Sequence, residues 1–243
     1  RRTLKFERGG KNYFIKIHRA IGWLEVWKNW LGFKRPVTSA RMEREAIGRL
    51  QALGVPTLNV VGRGIRGKAP AHEESFVVTE ALEGMISLEQ LTQKWGSLSP
   101  SQCLALKREL IRQVATIART IHRNGLNHRD FYLCHFLVKD RDWNEWQPAD
   151  SLMLHVIDLH RMQHRPAVPE RWWVKDVAGV LFSALDCDLT SNDMLRFSKI
   201  YWEGSVRELL GERQGVLQKI YRKARKLYAS IHDRQAPDPV ANR

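Results

Sequence analysis

Near the start of the chain, alternating apolar and polar positions predict a short hairpin. Thr3-Leu4-Lys5-Phe6 reads as one strand, Gly9-Gly10 as the turn, and Tyr13-Phe14-Ile15-Lys16-Ile17 as the returning strand. A period of two puts Lys16 on the same sheet face as Phe14, with Tyr13, Ile15 and Ile17 on the other. Over residues 20–33 the period changes. Trp23, Trp27 and Trp30 fall at i, i+4 and i+7, which stacks three indoles along one side of a helix that Pro36 closes off. Residues 39–53 predict a second helix with Ile47, Leu50 and Leu53 on its apolar face. Glu43, four residues before Ile47, lies on that face, whereas Glu45 points with Arg49 to the polar side. Gly54 stops this helix, and Val55-Pro56-Thr57 leads into a strand at about 58–62. Glycines and prolines at 62–70 predict a hairpin loop, and Phe76-Val77-Val78-Thr79 a buried strand running into Glu80-Ala81-Leu82-Glu83-Gly84.

After that point strand signals thin out, which predicts a sheet-rich part over 1–82 and a mainly helical part over 83–243. Ser99-Pro100-Ser101-Gln102 is a helix start with a Ser cap, Pro in the first position and Gln completing a capping box. Leu104, Ile111, Val114, Ala118 and Ile121 form the predicted inner stripe, and Asn124-Gly125 the end. Short strands at about 136–139 and 153–157 bracket a loop at 139–152. The last helix points Leu217, Ile220, Tyr221, Ala224, Leu227, Tyr228 and Ile231 inward and carries a basic rim from Lys219 to Lys226. The tail from Gln235 holds two prolines and is predicted to fray.

Length and composition limit the class. The 243 residues, 43% hydrophobic and 27% charged, suit one compact unit or two joined lobes with ample core. Forty Lys and Arg against 26 Asp and Glu give a net charge of +14, which favours an acidic partner: an anionic membrane surface, nucleic acid, a phosphorylated sugar or an acidic protein. Cys103, Cys134 and Cys187 are odd in number, far apart and without metal-ligand spacing, which excludes a disulfide scaffold and fits a reducing cytoplasm. No apolar run approaches the roughly 18–20 residues of a membrane span. No signal peptide is visible, and a chain opening at Arg1 rather than Met leads us to expect a natural start further upstream.

The strongest chemical signal is Ile121-His122-Arg123-Asn124-Gly125-Leu126-Asn127-His128-Arg129-Asp130, a long helix ending in Gly followed by His-Arg-Asp. It resembles the catalytic loop of the protein-kinase-like fold, with His135 where that fold usually has Asn and Phe136-Leu137-Val138 as the following strand. Context strengthens the likeness. A strand lysine (Lys16), a helix glutamate facing inward (Glu43) and a strand-to-linker passage at 76–84 precede the loop, and Val156-Ile157-Asp158 follows it. The resemblance implies an α+β, two-lobed protein-kinase-like fold, with a small antiparallel-sheet N-lobe, a mainly helical C-lobe, and ATP in the cleft. Phosphoryl transfer has a loose transition state, so the protein chiefly positions groups and neutralises charge. Lys16 would hold the α- and β-phosphates, Glu43 would orient Lys16, Asp158 would bind Mg²⁺, and Asp130 would take the acceptor hydroxyl's proton. Glu80 and Leu82 would offer backbone groups to adenine. His135 is open between metal ligation, phosphate contact and bracing of the loop. His128 reads as a brace for the loop backbone, Arg129 as the partner of a local carboxylate, and Asp176 as an anchor beneath the loop. A thiol-nucleophile reading of Cys134 beside His135 lacks a third orienting group.

A closer resemblance covers nearly the whole chain. The stretch from Asn127 to Leu137, with Ile157-Asp158-Leu159-His160-Arg161 and Lys175-Asp176-Val177-Ala178, resembles the bacterial lipopolysaccharide core heptose kinases of the Kdo/Waa type. So do Gly22-Trp23 with Lys28-Asn29, and Glu43 ahead of Gly54-Val55-Pro56-Thr57. His at 135 and 160 belongs to that family's pattern. The resemblance implies ATP- and Mg²⁺-dependent phosphorylation of the first inner-core heptose by a cytoplasmic protein peripheral to the inner membrane. It also implies a further N-terminal stretch that covers the ATP phosphates and would precede Arg1.

A sugar acceptor has independent support. Only 18 positions separate Asp158 from Asp176, and residues 159–175 contain no Ser, Thr or Tyr to be phosphorylated. They do contain Arg161, Arg165 and Arg171, candidate substrate contacts for acidic core sugars and lipid phosphates, together with His160, His164 and Lys175. The partners expected are the lipopolysaccharide inner core, the anionic inner-membrane surface and an acidic protein, with no nucleic acid. Two other readings stand beside this one: a kinase for another small molecule or a protein hydroxyl, and a non-catalytic basic module that uses the same fold to hold anionic lipid. The tryptophan helix is open between packing on the small lobe and docking on lipid.

Overall fold

A computed structural model of the chain describes residues 2–19, 40–67 and 74–238; the tryptophan helix read at 20–33 lies outside them. They form two compact units, Arg1–Glu83 with Val156–Met162, and Gly84–His155 with Gln163–Arg243.

The first unit is built on a four-stranded antiparallel sheet ordered β1-β2-β4-β3. Strands β1 (Arg2–Arg8) and β2 (Lys11–His18) are joined by Gly9 and Gly10, whose φ of 61° and 73° suits a tight hairpin turn. Leu4 lies opposite Ile15 and Phe6 opposite Tyr13, with the two rings stacked at 5.4 Å. Helix α1 (Ala40–Ala52) packs on the sheet and buries Ala46, Ile47, Leu50 and, among them, Glu43. Strand β3 (Val60–Arg66) corrects the first part of the loop expected at 62–70: it continues through Gly62 and Gly64, with a register shift between Val60 and Gly62, while residues 68–70 lie outside the described residues. A Cβ at Gly64 would come within 2.3 Å of the Phe76 ring, so this glycine admits a cross-strand aromatic rather than a turn. The expected buried strand, β4 (Glu74–Glu80), is two-faced: Val77 is 1% exposed and Phe76 37%.

The second unit opens with β5 (Met85–Ser87) and α2 (Leu88–Gln93), capped by a Ser87/Gln90 box. Helix α3 (Pro100–Arg123) starts at the Ser99/Gln102 capping box, with Pro in its first position. Its buried stripe is Leu106, Leu110, Val114, Ala118 and Ile121, whereas Leu104 is exposed. Two residues apart on a helix is a rotation of about 200°, so Leu104 and Leu106 cannot share the inner face. Then come β6 (Leu126–Asn127), β7 (Phe136–Lys139), which pairs with β5, and β8 (His155–Val156), which carries the chain into the first unit. Strand β9 (Gln163–His164) pairs with β6. Helices α4 (Glu170–Ala184), α5 (Ser191–Trp202), α6 (Val206–Gly211) and α7 (Gln214–His232) complete the unit, with α4 packed on α7 and α3 on α5. Along α7 Ile220, Ala224 and Tyr228 are buried, but Ile231 is exposed, contrary to expectation. The chain reverses at Asp233, φ 50°, and lays Ala236 against Leu185 and Tyr228. The described part of the tail, to residue 238, is therefore docked through Ala236, where fraying from Gln235 was expected.

Candidate functional site

In the first unit Lys16 projects from the middle of β2, and Glu43 from the first turn of α1 with no exposed surface. The Lys16 ammonium donates to Glu43 Oε1 and lies 4.0 Å from Asp158 Oδ1. A carboxylate so deeply buried calls for a compensating charge, and Lys16 supplies it. Asp158 follows β8 in a left-handed conformation, φ 59°, and leads into the 3-10 turn Leu159–Arg161. There His160 donates from Nδ1 to Asp158 Oδ1 at 2.6 Å, so one carboxylate oxygen faces both an imidazole and an ammonium. Glu80, at the end of β4, accepts from Asn59 Nδ2 at 2.9 Å. That bond, ahead of the Lys11 ammonium, holds its carboxyl below the usual range. Its backbone N–H donates to Asn59 O at 3.0 Å.

In the second unit the loop between β6 and β7 carries His128, Arg129, Asp130 and His135. Asp176, wholly buried in α4, accepts the backbone N–H of His128 at 2.6 Å and of Arg129 at 2.8 Å. Arg129 is left-handed, φ 77°, and its carbonyl accepts Lys175 Nζ at 2.7 Å. Consecutive residues of α4 thus grip Arg129 from both sides. Behind Asp176 stands His122, with Nε2 at 3.3 Å from the carboxylate and Nδ1 at 2.8 Å from the Tyr201 hydroxyl. Burial, then the charge of Asp176, pushes the Tyr201 phenol well above its ordinary pKa. The Asp176 carboxylate can only accept, so the imidazole presents the Nε2 proton to it and its Nδ1 to the Tyr201 hydroxyl. At the other end of the loop His135 donates from Nδ1 to the Asp130 carbonyl at 2.6 Å, and its ring stacks on that of His128 at 5.8 Å. Gly179 lets α4 approach this closely: a Cβ there would stand 2.9 Å from the Phe131 carbonyl.

Arg165 and Arg171, singled out from sequence, come together around Trp172, which was not. Arg129 joins them, so that three guanidinium carbons lie 5.2, 5.4 and 5.3 Å from one indole centroid. Arg161 belongs to the first unit, next to Asp158. The helical unit also holds a half-open apolar cavity of about 430 Å³, lined by Leu110, Val114, Val180, Leu181, Cys187 and Leu217 among others. No local pattern announces it, because it is the space left between five helices, α2, α3, α4, α5 and α7. All three cysteines are free, and burial pushes the Cys187 thiol up to about 11.

Among the described residues no group of three or more His, Cys, Asp or Glu is placed to hold a metal by itself. Nucleotide-bound Mg²⁺ needs no such cage, since one or two carboxylates with phosphate oxygens and water fill its octahedron. The Asp158 carboxylate fits that requirement.

Residues 1–201 match the model of the lipopolysaccharide kinase (Kdo/WaaP) family. The chain is 47% identical over 228 residues to the lipopolysaccharide core heptose(I) kinase WaaP of Pseudomonas aeruginosa, covering 94% of this chain and 83% of that protein. To the protein of the same name from Escherichia coli it is 41% identical over 227 residues, covering 93% and 84%. A solved structure, WaaP in complex with acyl carrier protein, aligns with a TM-score of 0.76 at 42% identity, covering 93% of this chain and 84% of that one. The kinase-like α+β fold expected from sequence is thereby the fold of this chain.

Proposed function

The chain belongs to the lipopolysaccharide kinase (Kdo/WaaP) family, and from that premise we propose that it transfers a phosphoryl group from ATP to a heptose hydroxyl of the lipopolysaccharide inner core. The observation that carries this reading is the Lys16 ammonium set on buried Glu43 and beside Asp158. In this reading Lys16 neutralises the α- and β-phosphates, and Glu43 keeps its ammonium from swinging away. Asp158 holds Mg²⁺, with His135 as the second candidate ligand; the bound ion supplies charge neutralisation on the phosphate oxygens. Asp130 accepts the hydroxyl proton as the new O–P bond forms and ADP leaves. The Glu80 carbonyl and the Leu82 backbone meet adenine. Arg161, Arg165 and Arg171 give the acidic acceptor a cationic lining.

The test is the mass gain of one phosphate on dephosphorylated core oligosaccharide incubated with protein, ATP and Mg²⁺. No gain with the wild type would sink the reading, and equal gain with Asp130→Ala would sink the role of Asp130.

A second reading concerns the partner. One relative is known in complex with acyl carrier protein, and this chain combines a charge of +14 with an apolar cavity in its helical unit. The acidic protein partner is then an acyl carrier protein, with its acyl chain in that cavity. Acylated carrier protein should raise the melting midpoint and the non-acylated form should not. No helix among the described residues is long and apolar enough to cross a membrane, in keeping with a peripheral place at the inner membrane's cytoplasmic face.

A further inference from the structure

Two hollows of the helical unit lie back to back. One is the half-open apolar cavity between α2, α3, α4, α5 and α7. The other is a cleft of about 500 Å³ formed by α3 and α5 with Thr190, and its lining is charged. Lys107, Asp193 and Leu195 line both, so only a side chain's thickness separates the apolar space from the charged one. Helical spacing builds the cleft. Leu104, Lys107 and Arg108 fall at i, i+3 and i+4 along α3, and Arg196 and Lys199 at i and i+3 along α5, so each set shares a face. Four cations there surround one carboxylate. Asp193, buried in the shared wall, is already taken by Lys107 at 3.1 Å and Arg196 at 2.9 Å. Arg108 and Lys199 are exposed, and among the described residues no carboxylate pairs with either. Leu104, 42% exposed, edges the cleft with hydrocarbon. The cavity has the opposite need. Walls of Leu, Ile, Val and Ala give water almost nothing to bond to, and a hydrocarbon fills such a space with gain.

We infer that cavity and cleft form one site for an anionic amphiphile, with its acyl chain in the cavity and a phosphate a few bonds away held by Arg108 and Lys199. This deepens the second reading above and rests on it for the acyl chain; the head-group site is what it adds. The Arg108 fork suits a pair of phosphate oxygens, and the Lys199 ammonium adds a point charge. Asp193 does not repel the phosphate, because Lys107 and Arg196 neutralise it within the shared wall. Spacing selects the ligand. A lysophosphatidate sets its phosphate close behind the acyl ester, whereas a phosphopantetheine thioester sets it beyond a long polar arm. A wall one side chain thick fits the short spacing.

The experiment measures Kd by calorimetry, below micelle-forming concentrations, for four probes: palmitoyl lysophosphatidate, uncharged monopalmitoylglycerol, S-palmitoyl phosphopantetheine and glycerol 3-phosphate. Wild type is compared with the double variant Arg108→Ala/Lys199→Ala and with Leu217→Trp, which fills the cavity from a half-buried wall; each is checked for an unchanged melting midpoint. Wild type should bind lysophosphatidate about tenfold more tightly than monopalmitoylglycerol, and the double variant should bind the two about equally. Its affinity for monopalmitoylglycerol should stay within about twofold of wild type, since no phosphate is involved. Leu217→Trp should weaken both ligands, and glycerol 3-phosphate should bind wild type about a hundredfold more weakly than lysophosphatidate, because it leaves the cavity empty. The site is overturned if the double variant keeps the preference for phosphate, if it weakens the uncharged ligand by the same factor, or if glycerol 3-phosphate binds as tightly as lysophosphatidate. It is also overturned if only the phosphopantetheine thioester binds wild type, an outcome that leaves the acyl reading of the cavity standing. Should no acylated probe bind, both fail. Binding is read without turnover, so the kinase reading is judged separately.

Discussion

Asp176 accepts a hydrogen bond from the backbone N–H of Arg129 at 2.8 Å, although 47 residues separate them in the chain. The same carboxylate takes the N–H of His128, and His122 and Tyr201 stand behind it. One buried charge therefore sets the backbone of the loop on which Asp130 sits. Asp176→Asn leaves the shape but presents an NH₂ where one of the loop amides needs an acceptor. We expect a loss of about 2–5 kcal/mol in urea unfolding, with a fall in kcat larger than any change in the KM for ATP. Tyr201→Phe should cost about 1 kcal/mol, since it removes one neutral donor. An Asp176→Asn protein as stable as wild type would show that the loop is held by something else.

Lys16 and Glu43 yield a different signature. Both lie in the first unit, and the proposed role of Lys16 is toward phosphate rather than toward the fold. Lys16→Met should lower kcat/KM for ATP about a hundredfold or more and abolish stabilisation by Mg-ATP in a melting experiment. Glu43→Gln keeps the ammonium but removes its buried anchor, so Lys16 is expected to turn to Asp158 at 4.0 Å and activity to fall while the fold persists. Full ATP stabilisation of Lys16→Met would remove that lysine from the nucleotide site.

These two residues were legible in the chain because local periods decide them. A period of two fixes the face of Lys16 along β2, and a period of 3.6 puts Glu43 beside Ile47. The helix start at Ser99 was equally local, since a capping box is written within four residues. What was misread depends on distant chain. Gly64 looked like a turn residue, yet its meaning comes from Phe76 on the neighbouring strand. Ile231 fits the inner stripe of α7, but the returning tail places Ala236, not Ile231, against Tyr228. Trp172 and Arg129 meet only because α4 returns beneath the loop between β6 and β7, which no spacing between positions 129 and 172 could announce.

Asp193 makes stability depend on acid. It sits in the first turn of α5, in a capping box with Thr190, and is paired with Lys107 at 3.1 Å and Arg196 at 2.9 Å. Burial works to raise its pKa, but the Thr190 backbone N–H and the Lys107 ammonium together bring it below the ordinary value. As pH falls, the unfolded chain takes up the proton first, near about 3.9, so the contribution is present above that pH and is lost as pH falls through the lower folded value. Asp193→Asn should be less stable than wild type at pH 7 by about 2–4 kcal/mol. The gap should narrow when urea midpoints are compared below about pH 4. A gap independent of pH would mean that shape, not charge, is what Asp193 contributes.

Gly125 and Gly54 both end helices with positive φ, 74° and 70°, and differ in what surrounds them. Nothing lies within 4 Å of a Cβ built on Gly54, so Gly54→Ala should cost about 1 kcal/mol, the price of a left-handed alanine. A Cβ on Gly125 would fall 1.9 Å from the Arg165 carbonyl oxygen. That oxygen is backbone, and Arg165 is bonded back to Gly125 through its own N–H at 2.8 Å, so neither side can yield without opening the β6–β9 pair. Gly125→Ala should therefore lose about 3 kcal/mol or more in urea unfolding, by strain and clash together. It should also weaken acceptor binding, because Arg165 moves with the strand. Equal losses at the two glycines would mean that left-handed strain alone matters and that the contact with Arg165 is slack.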